Sequence, residues 1–167
     1  MTNDYAYETE TVYLYIPNMA VGAIIGAKGA FIKHIIKASG ASIKITPLSP
    51  EDSKPTSERQ VVIQGFRENQ CSAQFYIYDK IRNERYTPDD NIKLRAEIHV
   101  PSHVVGRIIG KSGKNVRELQ RSTGATIKLP EDANQTQSNT VVVRIHGTFN
   151  SSQVSILELF CLLHFLN

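Results

Sequence analysis

The sequence predicts an α+β protein of two tandem small domains, each running strand, helix, helix, strand, strand, helix. Three observations carry that expectation. Residues 16–45, IPNMAVGAIIGAKGAFIKHIIKASGASIKI, align without gaps on residues 100–129, VPSHVVGRIIGKSGKNVRELQRSTGATIKL, with eleven of thirty positions identical. The repeat has a period of about 84 residues, too long for a solenoid unit and about right for a small domain. Finally, 167 residues at 41% hydrophobic and 21% charged suffice for two small cores and exclude a wholly disordered or fibrous chain.

Each element follows from local pattern. Glu10 to Ile16 (ETVYLYI) and Lys93 to Val100 (KLRAEIHV) alternate as half-buried strands, and Pro17 and Pro101 end them. Ala20 to Ile25 and Val104 to Ile109 read as one or two helical turns that stop at Gly26 and Gly110, where glycine adopts backbone angles other residues resist. A second helix covers Ala30 to Ser39, with Ile32, Ile35 and Ile36 at helical spacing, and Val116 and Leu119 serve in the copy. Gly40 and Gly124 occupy the C-cap position. Short strands follow at Ser42 to Thr46 and Thr126 to Leu129, then polar loops at Pro47 to Glu58 and Pro130 to Asn139. A third strand (VVIQG from 61, VRIHG from 143) and a closing helix, about Glu68 to Arg85 in the first copy, finish each unit. The expected organisation is a flexible segment 1–9, a first domain 10–85, a short linker 86–91 and a second domain 92–167.

Charge is segregated. The formal net charge is only +3, yet residues 16–45 and 100–129 together hold ten of the 19 Lys and Arg and one of the 16 Asp and Glu. They sum to +9 against −6 for the remainder, which points to two positive patches facing a polyanion.

The repeated kernels are Val21-Gly22-Ala23-Ile24-Ile25-Gly26-Ala27-Lys28-Gly29 and Val105-Gly106-Arg107-Ile108-Ile109-Gly110-Lys111-Ser112-Gly113. A lone Gly-x-x-Gly is weak. Here it sits in G-x-I-I-G-x-x-G, precedes a basic helix and G-A-S/T-I-K, and occurs twice. In this setting, and with this element order, the chain resembles a pair of type I KH domains from Glu10 to about Ser152. The segments AVGAIIG, ASIKI, IYDKI and EIHVPSHVVGRIIGKSGKNVRELQ make the pair similar to the third and fourth KH domains of the insulin-like growth factor mRNA-binding (zipcode-binding) family. The resemblance implies a three-stranded antiparallel sheet packed by three helices in each domain, and a pseudo-symmetric pair with RNA grooves facing apart. It also implies a fragment or short isoform of a larger protein, acting on mRNA localisation, stability or translation in cytoplasmic granules, with nuclear shuttling.

The chemistry of the motif fits single-stranded RNA. Such a ligand needs its backbone held closely while its bases turn to a reading surface, and KH loops clamp about four nucleotides this way. Glycine lets the loop backbone approach phosphate, and amides at the next helix start favour an anion. Lys28, Lys111 and Ser112 are the expected phosphate contacts, with Ala27 and Arg107 in the same kernels and Lys114 just after the second expected to join them in binding RNA. Lys33 and Lys37 are four apart, as are Arg117 and Arg121, so each pair lines one helix face. By resemblance, Ile25, Ile32 and Ile45, with Ile109, Val116 and Leu129, form the apolar floor under the bases. None of these is aromatic, so stacking is expected to be weak and each groove's affinity modest.

Other readings compete. Gly26 and Gly110 as plain helix caps would not explain a second glycine three residues on. The cationic faces could be ordinary solvated helix surface, but the missing acids favour binding. Gly106-x-x-x-Gly110-Lys111-Ser112 approaches a nucleotide-binding P-loop, yet Val105 stands where its first glycine belongs, and the first copy lacks Gly-Lys-Ser altogether. His99 and His103 have no further metal ligands nearby. The expectation is therefore no enzyme, no cofactor and no metal. A degenerate KH pair acting as a protein-interaction or dimerisation module is the alternative.

Cys71 and Cys161 make no disulfide framework, and both fall in closing helices where buried cysteine is ordinary. The polar, acidic N-terminus carries no signal-peptide pattern, and the most apolar stretch, about Val154 to Leu166, is too short to span a bilayer. No membrane partner and a soluble, intracellular chain are the expectation. The second closing helix, VSILELFCLLHFLN, has almost no polar face. Ile156, Leu159, Phe160 and Leu163 are expected to cover the sheet, leaving Leu157, Cys161, Leu162 and Phe165 as a surplus that drives self-association or tighter domain packing.

Overall fold

A computed structural model describes residues 9–52, 57–84, 92–133 and 137–165. The chain divides into two compact units between Leu94 and Arg95. The expected linker 86–91, and all but Thr9 of the expected N-terminal segment, lie outside the described residues.

In the first unit, strand β1 (Glu10–Pro17) leads through a 3-10 turn, Asn18–Ala20, into helices α1 (Val21–Ile25) and α2 (Ala30–Ser39). Strands β2 (Ser42–Ile45) and β3 (Glu58–Gly65) and the closing helix α3 (Arg67–Asn83) complete it. The strands lie in the order β2-β3-β1, with β3 antiparallel to both neighbours. Val12, Leu14 and Ile16 alternate into the core, as strand geometry requires, and meet Val61, Ile63 and Ile43 there. Val21 and Ile24 of α1, Ile35 of α2, and Ala73, Ile77 and Ile81 of α3 supply the helical side. Buried Gln70 donates from Nε2 to the Gly65 and Glu10 carbonyls, satisfying the ends of β3 and β1 where the sheet ladder stops.

The second unit repeats the order: β4 (Leu94–Pro101), the turn Ser102–Val104, α4 (Val105–Ile109), α5 (Lys114–Thr123), β5 (Thr126–Lys128), β6 (Thr140–Gly147) and α6 (Phe149–Phe165). β6 is central in the order β4-β6-β5, and its pairing with β5 is antiparallel. Ala96, Ile98, Val100, Val143, Ile145 and Ile127 build the sheet side of the core against Val105, Ile108, Ile156, Leu159 and Phe160. Both prolines are the last strand residues, and Gly40 and Gly124 cap α2 and α5 in the left-handed conformation.

Several expectations change. The edge strands are shorter than expected, so Leu129 lies just beyond β5. Ile35 is buried, but its neighbour Ile36 is 37% exposed and belongs to the surface rather than the core. The two cysteines are only half-buried; burial nonetheless pushes the Cys71 thiol upward, away from a nucleophile's range. In α6, Leu163 is half-buried rather than core, and Val154 joins Leu157 among the exposed side chains. Side chains beyond Leu163 lie outside the described residues. Among the described residues no single helix is long and apolar enough to cross a membrane.

Candidate nucleic-acid interface

Between the first two helices of each unit the chain makes the same four-residue turn. Gly26 has φ 74° and ψ 174°, and Gly110 has φ 72° and ψ 179°. This is not the left-handed geometry of an ordinary C-cap, and it lies in a region that is essentially glycine's alone. Space excludes a side chain as well. A Cβ on Gly26 would lie 2.8 Å from the backbone nitrogen and Cβ of Phe31, and one on Gly110 would lie 2.5 Å from Cγ of Asn115. Both glycines do cap their helices, the Gly26 and Gly110 N–H groups donating to the Gly22 and Gly106 carbonyls at 2.9 Å, in a conformation other than the left-handed one of Gly40 and Gly124.

The residues inside the turn are more telling. Lys28 (φ 54°, ψ 29°) and Ser112 (φ 55°, ψ 29°) are the two non-glycine residues with positive φ among those described, and they occupy equivalent positions. An L-residue in this conformation costs about 1–2 kcal/mol. The strain projects the side chains of Ala27, Lys28, Lys111 and Ser112 into solvent. Gly29 and Gly113 then start α2 and α5, whose N-termini have no side-chain cap; the Gly29 and Gly113 N–H groups donate back to the Gly26 and Gly110 carbonyls, and those of Ala30 and Lys114 to the Ala27 and Lys111 carbonyls. Gly22 and Gly106 are exposed one turn earlier on α1 and α4.

The cations stand around this turn. Lys28, Lys33, Lys37, Lys111, Lys114, Arg117 and Arg121 are all exposed, and none forms an ion pair with a described residue. Elsewhere several basic residues meet an acid: Lys80 pairs with Glu84 at 3.1 Å, Arg82 with Asp79, and Arg144 with Glu97 at 3.3 Å. The segregation read from composition is thus a property of the surface. Arg107 is exposed beside the second turn. Lys114, Arg117 and Arg121 share one open cleft with Glu118, the single acid of residues 16–45 and 100–129.

The six apolar floor residues share one property. Ile25, Ile32, Ile45, Ile109, Val116 and Leu129 are all half-buried, whereas the adjacent Ile24 and Ile108 are buried. Half-burial means that each side chain is held by the core and still shows part of itself at the surface. The aromatic rings of this region lie elsewhere. Phe31, His34 and Tyr76 form a chain along the seam between α2 and α3, with centroids 6.0 and 5.8 Å apart, and Lys80 sits over Phe31 at 4.8 Å.

Sequence reasoning missed the braces of the second turn. Asn115 Nδ2 donates to the Arg107 carbonyl at 2.9 Å, tying α5 to α4 across the turn. Arg117, expected only as part of the cationic helix face, also donates from Nη1 to the Ser112 carbonyl at 2.7 Å. That bond orients the strained residue itself. The equivalent positions hold Phe31 and Lys33, and this difference was the available signal. The P-loop alternative has no cradle to occupy, because Gly106 to Ile109 lie within α4. Among the described residues no group of three His, Cys, Asp or Glu could hold a metal.

The chain is similar to several known proteins. A solved structure described as KH domains matches at a TM-score of 0.54 and 13% identity, covering 95% of this chain and 42% of that one. The a/eIF2alpha–aDim2p–rRNA complex of Pyrococcus horikoshii OT3 matches at 20% identity and a TM-score of 0.32, covering 93% of this chain and 85% of that one. An Aeropyrum pernix protein matches at 17% identity and 0.34, with 93% and 83% coverage. The KH domain family model matches twice, over residues 11–79 and 95–158, once in each unit. With a glycine turn and an uncompensated cationic helix in both matched regions, the chain belongs to the KH domain family, whose members bind single-stranded RNA.

Proposed function

We propose that this chain binds single-stranded mRNA through two KH grooves and acts, without catalysis or cofactor, in mRNA localisation, stability or translational control. The observation that carries the reading is the duplicated strained turn, with Lys28 and Ser112 in the same left-handed conformation beside cations that no acid neutralises. A fold needing only to turn a corner would place glycine there. The similarity of AVGAIIG and EIHVPSHVVGRIIGKSGKNVRELQ to the zipcode-binding family supports mRNA as the target and cytoplasmic granules, with nuclear shuttling, as the location. Two grooves on one chain gain by effective concentration, so a bipartite RNA binds more tightly than either site alone.

The test replaces Ala27 and Lys28 with aspartate, and separately Lys111 and Ser112. Each pair should abolish binding at its own groove with little change in melting temperature, because these residues are exposed. Loss of one groove should weaken a long bipartite RNA far more than a short single-site RNA. Binding by the parent should fall as salt rises. A quadruple variant that binds RNA like the parent would refute the mechanism. The competing reading, a protein-interaction module, is favoured by exposed Val154 and Leu157 on α6; it requires that the aspartate variants keep their partner and that the parent shows no salt-dependent RNA binding.

A further inference from the structure

The cationic helix of each unit has a surface on either side of it, and one of the two differs sharply between the units. A helix turns about 100° per residue, so the residues around α2 follow in a fixed order. Ile32 comes first, then Lys33 and Lys37, then His34, then Phe31. The two exposed lysines thus form a ridge, with the half-buried floor on one flank and the seam against α3 on the other.

In the first unit that seam is aromatic. Phe31, His34, Tyr76 and Phe75 follow one another with ring centroids 6.0, 5.8 and 6.0 Å apart. One end of this chain adjoins the glycine turn, since a Cβ on Gly26 would meet Phe31 at 2.8 Å. The rest reaches solvent: His34 is exposed, and Phe75 is 49% exposed. A single exposed ring is ordinary protein surface, but a run of four beside a cationic ridge is a contact surface.

The second unit keeps the ridge and loses the rings. With the closing helices aligned from Gly65 and Gly147, the four ring positions fall on Asn115, Glu118, Glu158 and Leu157. Asn115, Glu118 and Glu158 line an open groove there, together with Leu119, Arg121 and Leu162. Two carboxylates against one guanidinium make this flank unfavourable to phosphate.

We propose that the aromatic seam of the first unit is a second RNA contact, on which a base flanking the clamped nucleotides stacks; the inference rests on the RNA-binding role proposed above. A strand whose phosphates follow the lysine ridge has the apolar floor on one side and the rings on the other. Clamped bases fill the floor. The next base along the strand finds π-faces across the ridge, and stacking on an aromatic side chain tolerates every base. The seam therefore adds affinity without sequence preference, and the first unit engages a longer stretch of RNA than the second.

The experiment uses the full chain with one loop disabled by its aspartate pair. The probes are RNAs of four randomised nucleotides flanked on each side by two adenosines or by two abasic riboses, which keep the phosphates and remove only the bases. With the second loop disabled, adenosine flanks should raise affinity about tenfold over abasic flanks, the scale of one stacked base. With the first loop disabled, the gain reports only flanks sliding into a groove and should be several-fold smaller. Phe75→Ala and His34→Ala should each lower the first unit's gain toward that of the second and leave its affinity for the abasic-flanked RNA unchanged. Phe75→Trp should preserve the gain. Both positions are exposed, so these variants keep the fold. An equal gain in the two units, or a gain that survives both alanine variants, overturns the stacking site and leaves the seam to helix packing or a protein partner. Failure of both units to bind either RNA would instead overturn the RNA-binding reading itself.

Discussion

Gly22 and Gly106 are glycines that the fold does not require. They stand inside α1 and α4, outside the positive-φ set, and a Cβ built on either meets no atom within 4 Å. Alanine should therefore suit the protein better, since glycine in a helix interior is about 0.5–1 kcal/mol less favourable. Gly26 is the opposite case. Its φ of 74° and the 2.8 Å approach of a Cβ to the Phe31 backbone nitrogen predict that Gly26→Ala destabilises the first unit, by about 1–3 kcal/mol from the backbone conformation alone. On the RNA-binding reading proposed above, an exposed glycine at position 22 leaves room for a sugar-phosphate backbone to come close to the helix. Gly22→Ala should then raise stability by about 0.5–1 kcal/mol. It should also weaken RNA binding on the order of tenfold, as an intruding methyl does in a packed contact. Urea unfolding followed by circular dichroism reads the first quantity. Titration of a labelled single-stranded RNA, with the second loop disabled, reads the second. The signs of the two effects are opposed, so no general loss of structure can imitate them. A Gly22→Ala protein that binds RNA like its parent would refute the close approach, and one that unfolds earlier would refute the helix accounting.

Lys28→Gly and Ser112→Gly should each relieve left-handed strain and raise stability by about 1 kcal/mol, measured by thermal melting. RNA affinity should fall more for Lys28→Gly, because it alone of the two removes a cation. Asn115→Ala should weaken RNA binding by the second groove several-fold through a slower association rate, with the loss absent from the first groove; stopped-flow kinetics on single-loop variants check this. Changing exposed Val154 and Leu157 to serine should reduce self-association in light scattering and leave RNA affinity unchanged. An unaltered oligomeric state and melting temperature would mark that stripe as inert surface.

Much of this molecule is legible locally. The repeat, the prolines that close β1 and β4, the glycine turns and the capping glycines all act within a few residues, so the sequence alone determined the order of elements and the position of both loops. Charge segregation was legible for a related reason: windows poor in acid leave cations such as Lys28, Lys33, Lys37, Lys111, Lys114, Arg117 and Arg121 without a local acid to pair with. What only the tertiary structure decided is the assignment of adjacent apolar residues. Ile24 and Ile25, or Ile35 and Ile36, look alike in sequence, yet a helix turns each neighbour by about 100°, and the direction of the sheet then sends one to the core and one toward the surface. The Asn115 brace to the Arg107 carbonyl and the Gln120 bond to the Ile127 amide depend on where helix ends and strand edges meet in space. Such polar contacts are satisfied by whichever backbone group the fold brings within reach. A list of residue types records the donor and the acceptor but not their meeting.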